Sequence, residues 1–376
     1  MAGIYIHVPF CIQKCKYCDF YSTAQLNSKT QYLSSLLQEI KGRAYELNNQ
    51  PISTLYFGGG TPSLLLPHEL HSIIQAIEKH FRFNVNLAEV TLECNPGDIG
   101  QMQIAELKSI GINRFSIGIQ SFNNDALQYL GRRHTQKQGI DLFYALRNEG
   151  ITNISLDLIY GIPTIGWNVL KNDVETLRHL LPEHISTYHL IIEEGTPFGD
   201  MKAKGLLQDI DEEISLQMSH YIRRELSDAG YDHYEISNFA LPNFQSQHNS
   251  SYWNGTPYIG LGPSAHSYIG RWRSYNPYSL KEYTQQLLSQ GFLVRSFEEI
   301  TPSLAYEEYI LTRLRTRRGI DITEVEQQFG VEKKAVLHQK LIQYCKQGLI
   351  RQEEESRYTL TSNGIDLSDR IMSDLF

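Results

Sequence analysis

No apolar run in the 376 residues approaches the ~20 that a membrane-crossing helix needs, and the start lacks the basic flank and long apolar segment of a secretory signal. Both absences lead us to expect a cytosolic chain. Basic charge is also in short supply: 34 Lys and Arg stand against 42 Asp and Glu, a net of -8. That balance argues against a sequence-independent nucleic-acid binder, which draws its affinity from many cationic contacts to phosphate. Cysteine is scarce and odd in number, five in all, so a disulfide framework in a reducing compartment is a poor explanation for it. Three of the five nevertheless crowd into one segment, "VPFCIQKCKYCDFYS", as Cys11, Cys15 and Cys18. What remains is ordinary globular composition, with enough length for a large core and an appended domain.

Six β-rich runs, "GIYIHVPF", "STLYFGGG", "AEVTLECN", "RFSIGIQSF", "NISLDLIYG" and "HISTYHLII", are each followed by a stretch with helical apolar spacing, such as Leu33, Leu36, Leu37 and Ile40. Alternating strand and helix predicts a parallel sheet with helices outside. Six units are too few for an eight-stranded barrel, so an α/β fold of the open, partial (βα)6 type fits best, with a doubly wound sheet as the alternative that the pattern allows. The polar and glycine residues sit at the strand ends, where such folds bind ligands. After about residue 195 the rhythm fades into one helix, "DEEISLQMSHYIRRELSDAG", and a stretch over 231–279 that reads as loop and short strand. From residue 300 three helices and a hairpin follow in winged-helix order, with 11 Lys and Arg against 12 Asp and Glu. The expected organisation is a barrel over 1–195, a connecting extension over 196–300 and a winged-helix-like α+β domain over 301–376. The acidic "EEE" on its wing disfavours DNA contact.

Cys11-x-x-x-Cys15-x-x-Cys18 follows the first strand directly. A closed zinc site takes four ligands and a closed [4Fe-4S] site four cysteines; three thiolates would leave one iron open for a further ligand. Three buried apolar cysteines, or a zinc site completed by His7, remain as alternatives. "GGGTP" closes the second strand, and its backbone, free of Cβ atoms, could approach a ligand and offer N–H groups to a carboxylate. Glu93, Gln120 and Asp157 end the next three strands on the same face. Arg132 could meet a carboxylate bidentately.

The CxxxCxxC spacing on a first strand resembles the radical S-adenosylmethionine (SAM) superfamily. That resemblance implies a [4Fe-4S] cluster on Cys11, Cys15 and Cys18 whose open iron chelates SAM, an electron donor where SAM is cleaved to a 5′-deoxyadenosyl radical, and Tyr17 against the adenine. The set "YIHVPFC", "CKYC", "YFGGGTPS", "ECNPGDI", "RFSIGIQSF" and "DLIYGIP" is similar to the coproporphyrinogen-dehydrogenase-like branch, which holds oxygen-independent coproporphyrinogen III oxidases and haem chaperones. By motif it implies SAM contacts at Tyr5, Tyr17, Gly59, Gly60, Thr61, Glu93, Gln120, Arg132 and Asp157.

Two features separate the members of that branch. Its oxidases carry a fourth cysteine two places after the third, where this chain has Phe20. Its haem chaperones carry an HNxxYW motif, matched here by His248, Asn249, Tyr252 and Trp253, where imidazole is a haem-iron ligand and the aromatic rings offer flat apolar surface. The resemblance therefore implies haem as cargo and a haem-accepting protein as partner. It leaves open a homodimer and transient membrane contact. The alternative is the oxidase itself, or a related radical SAM oxidoreductase.

Overall fold

The computed structural model describes residues 1–376. Its first half alternates strand and helix: β1 (Ala2–Val8), α1 (Lys29–Arg43), β2 (Ile52–Gly59), α2 (Pro67–His80), β3 (Glu89–Cys94), α3 (Gln101–Ser109), β4 (Arg114–Gln120), α4 (Asn124–Leu130), α5 (Gln136–Asn148), β5 (Ile154–Tyr160), α6 (Trp167–Leu180) and β6 (His184–His189). β1 to β6 pair in parallel and in sequence order. This is the partial (βα)6 barrel that the alternating pattern predicts.

Parallel strands covered on both sides usually read as continuous apolar runs. Here each alternates. Ile4, Ile6, Leu55, Phe57, Val90, Leu92, Phe115, Ile117, Leu156 and Leu158 are buried in the main core with the helices. The positions between them, among them Tyr5, Thr54, Tyr56, Glu93, Arg114, Ser116, Ser155, Asp157, His184 and Ser186, line the other, polar face. With a side-chain period of two, one strand face can build the fold while the other carries the chemistry.

After α7 (Pro197–Ala203) and α8 (Glu212–Asp228), β7 (Asp232–Glu235) and β8 (Asn238–Ala240) extend the sheet beyond β6. The chain then crosses to the opposite edge. There α9 (Gln247–Asn254) precedes β9 (Tyr258–Leu261), which pairs parallel with β1, and β10 (His266–Ile269), β11 (Trp272–Tyr275) and, after α10 (Leu280–Gln290), β12 (Ser296–Glu299) continue outward. The stretch read from sequence as loop and short strand thus holds five short strands and, in addition, a helix. A buried network fixes this return: the Glu39 carboxylate accepts from Arg43 (2.8 Å), Asn276 (2.7 Å), Tyr283 (2.7 Å) and the Gly262 N–H (2.8 Å).

The C-terminal part comprises α11 (Pro302–Leu314), β13 (Ile320–Asp321), α12 (Ile322–Phe329), α13 (Val331–Lys346), β14 (Ile350–Gln352), β15 (Arg357–Leu360) and two short helices, around a small core of its own. β13, β15 and β14 form a three-stranded antiparallel sheet. No helix is long and apolar enough to cross a membrane.

Candidate cluster and cofactor site

The cysteine loop is tied down at its base and its middle. Cys11 N–H donates to Thr23 O at 3.0 Å and Thr23 N–H to Pro9 O at 2.7 Å, while Lys16 N–H donates to Leu130 O at 3.1 Å and Phe198 N–H to Lys16 O at 2.9 Å. All three thiols are partly exposed. Cys11 Sγ lies 3.5 Å from Thr61 Oγ1, Arg132 Nη1 donates to Cys15 Sγ at 3.5 Å, and burial pushes the Cys18 thiol up to about 11. No three His, Cys, Asp or Glu side chains stand close enough to share one metal ion. Both ring nitrogens of His7 are engaged, Nε2 with Tyr21 O (3.0 Å) and Nδ1 with the Tyr5 hydroxyl (3.3 Å), so His7 is not free to complete a zinc site.

Around the loop the strand ends assemble the mouth. Gly131, with φ 78°, ends α4 and turns the chain toward Arg132, a backbone conformation that glycine adopts without cost. Arg132 Nη2 donates to Gly118 O at 2.7 Å and to Asn95 Oδ1, and its Nε is buried without a partner. Arg133 points away and pairs with Asp98 at 2.8 Å. Gln120 has φ 66° where β4 breaks register with β5. A Cβ on Gly118 would stand 2.9 Å from Gln120 Nε2 and 3.2 Å from Arg132 Nη2, so the glycine leaves room for that pair. Asn95, overlooked in the sequence, also donates to Thr61 Oγ1 at 3.1 Å.

The glycine run has a packing task of its own. Gly59 N–H donates to Glu93 at 3.2 Å and Gly60 N–H to Val8 O at 2.8 Å, so these two donors are already engaged. A Cβ on Gly59 would come within 2.7 Å of the His7 ring, and one on Gly60 within 2.7 Å of Phe10 O. The run lets the cysteine loop close against β2.

Glu93 and Asp157 lie inside the barrel. Glu93 accepts from the Tyr56 hydroxyl at 2.8 Å, and burial pushes its carboxyl up to about 7; Asp157 accepts from Ser116 Oγ at 3.4 Å and is pushed up to about 6, again by burial. Tyr5 is interior too, 6.1 Å from Tyr56 in a stacked pair. Tyr17 packs into a small cluster with Leu130 and Phe198. Arg114 is fully buried with Nε and Nη1 unpartnered; its only sequence signal is its place as the first inward residue of β4.

The HNxxYW segment forms α9 at the opposite, N-terminal ends of the strands. Glu89, at the start of β3, accepts from the Gln247 and His248 N–H groups at 3.1 and 3.0 Å, and Ser246 caps the helix by accepting from Asn249 N–H. His248 is 1% exposed, with Nδ1 2.8 Å from Thr54 Oγ1 and Nε2 2.9 Å from the Tyr252 hydroxyl. Burial lowers its pKa to about 3. The ring read as an iron ligand therefore has both nitrogens occupied, and the half-buried Tyr252 and Trp253 form the outer side of the segment.

A parallel partial barrel with a three-thiol loop at its mouth is the architecture of radical SAM proteins. Residues 5–177 match the Radical SAM superfamily and residues 300–367 the HemN C-terminal domain. The chain is 33% identical over 372 residues to "Heme chaperone HemW" of Bacillus subtilis, covering 99% of this chain and 98% of that protein. It is also 33% identical to "Heme chaperone HemW" of Lactococcus lactis, covering 98% and 95%. The solved structure of Escherichia coli coproporphyrinogen III oxidase (HemN), described as a radical SAM enzyme, superposes with a TM-score of 0.85 at 26% identity, covering 100% of this chain and 89% of that one. The chain belongs to the radical SAM superfamily, in the family of the HemW proteins.

Membership implies a [4Fe-4S] cluster and SAM, and the residues present fit both. Three thiols share one anchored loop, a guanidinium touches the second of them, and the unpartnered Arg132 Nε faces no protein acceptor. When bound, such a cluster supplies one electron and an open iron position for SAM.

Proposed function

We propose that the chain is a haem chaperone. Cys11, Cys15 and Cys18 hold the cluster; Thr61, Gln120 and Arg132 border SAM at the mouth, with Glu93 and Asp157 beneath it; and the segment His248–Trp253 carries the haem function. Haem is delivered to an acceptor protein in the cytoplasm or at a membrane surface, and an electron donor is needed only where SAM is cleaved. The observation that carries the reading is the HNxxYW segment built as a capped helix against the barrel, in a chain whose relatives along nearly its full length bear the name haem chaperone. His248 contributes by anchoring Tyr252, and the rings of Tyr252 and Trp253 supply the apolar surface.

The likeness to HemN favours a second reading, a coproporphyrinogen oxidase. Against it stands Phe20, 67% exposed where such oxidases carry a cysteine. Haemin titration of anaerobically reconstituted protein tests the chaperone reading: one saturable Soret-band change is expected, and its absence overturns the reading.

A further inference from the structure

Between α9, the strands β9 to β11 and the C-terminal helix α11 lies a cleft of about 790 Å³, within the range of ~300–1,000 Å³ typical of small-molecule sites. It opens at the end of the barrel away from the cysteine loop. Trp253, Tyr258, Tyr309 and Phe329 give it aromatic walls, and Arg273 and Arg313 add two guanidinium groups. The motif residue Tyr252 also lines it, held from inside by His248.

Two donors here lack acceptors. Trp253 Nε1 and Arg313 Nε are buried and unpartnered, and Arg313 as a whole is 8% exposed. Buried donors are nearly always paired, so orphans gathered at one cleft mark a place where a ligand supplies the acceptors. Arg313 Nη1 donates to Trp253 O at 3.2 Å and Nη2 lies 3.5 Å from the Glu324 carboxylate, which fixes the guanidinium against the motif helix and leaves Nε as its unpartnered donor. Arg273 pairs with Glu308 at 2.5 Å through Nη1 alone, which leaves further N–H groups for a second carboxylate. Aromatic walls with cationic groups suit a flat, apolar ring that bears carboxylates.

We propose that this cleft is the haem site, with the tetrapyrrole between the aromatic walls and its propionates toward Arg273 and Arg313. The proposal rests on the haem-chaperone reading and adds where the cargo sits. It puts haem and SAM at opposite ends of the barrel, so haem can leave past the C-terminal domain without displacing the cofactor.

The test is haemin titration of the reconstituted full chain, read at the Soret band, with wild type, Arg273→Glu and the cleft-filling Thr312→Trp, and circular dichroism melting as the check on folding. Haemin dimethyl ester is titrated in parallel against wild type and Arg273→Glu. Both variants should weaken haemin at least tenfold without a change in melting. The ester should bind wild type at least tenfold more weakly than haemin, and Arg273→Glu should not weaken the ester further. Haemin affinities within twofold of wild type in both variants overturn the cleft while leaving haem binding intact. Equal affinity of wild type for acid and ester overturns the carboxylate contacts even where a variant fails to fold. No saturable change with wild type overturns the chaperone reading itself.

Discussion

The Nε2 atom of His248 lies 2.9 Å from the hydroxyl of Tyr252. With Nδ1 held by Thr54 at 2.8 Å, the ring spends both nitrogens on the protein. His248→Leu should therefore weaken haemin by roughly three- to tenfold through a loosened Tyr252, and lower stability by about 1–3 kcal/mol because the Thr54 hydroxyl loses its partner. The shape of the ferric haem spectrum should stay that of wild type. A changed spin-state signature in the variant would instead make the imidazole an iron ligand.

Arg132 touches Cys15 Sγ and Gly118 O and keeps a free Nε. Arg132→Lys cannot reproduce that fork. Iron and sulfide content should remain near wild type, while SAM affinity, measured by equilibrium dialysis on reconstituted protein, falls at least tenfold. Unchanged affinity would remove Arg132 from the SAM site.

Glu93 titrates at about 7 in the folded chain against 4.5 for an exposed glutamate, because burial disfavours its charged form. The folded state then holds a proton that the unfolded state has released between those values. Its contribution to stability is fully present below about 4.5 and is lost as pH rises through about 7. Glu93→Gln cannot titrate, so the variant should gain on wild type by on the order of 2–3 kcal/mol between pH 5 and pH 8, read from urea midpoints of cluster-free protein. A pH-independent difference would mean that Glu93 is charged throughout.

The Glu39 carboxylate holds α1, the loop after β9 and α10 together through four buried donors. Glu39→Ala strands Arg43 with only Glu46 as a carboxylate partner. The cost should be about 3 kcal/mol or more in urea unfolding. A loss below about 1 kcal/mol would show that the return of the chain to β1 is held by the strands alone.

Sequence pattern exposed the parts of this molecule that depend on local spacing. The six barrel strands were legible because each apolar run is short and followed by a helical stripe, and the cysteine loop because its chemistry is packed into one segment. The same strands carry more than the site residues Tyr5, Glu93 and Asp157: Tyr56 and Arg114 also alternate with aliphatic residues, and together the five mark a polar barrel interior. α9 escaped because "HNSSYWNG" has no apolar stripe, and Glu89, which accepts its first two N–H groups beside the local cap Ser246, lies far away in sequence. The pairing of β9 with β1 joins residues some 250 positions apart, so nothing local announces it. Arg132 and Arg133 are indistinguishable by spacing; only the left-handed turn at Gly131 decides which one faces the thiols.

The most direct test of the central claim gives one anaerobically reconstituted, cluster-loaded sample both haemin and, separately, coproporphyrinogen with SAM and a reductant. A haem chaperone takes up one haemin per chain with a saturable Soret change and forms no vinyl-bearing porphyrin. Conversion of coproporphyrinogen without saturable haemin uptake would contradict it.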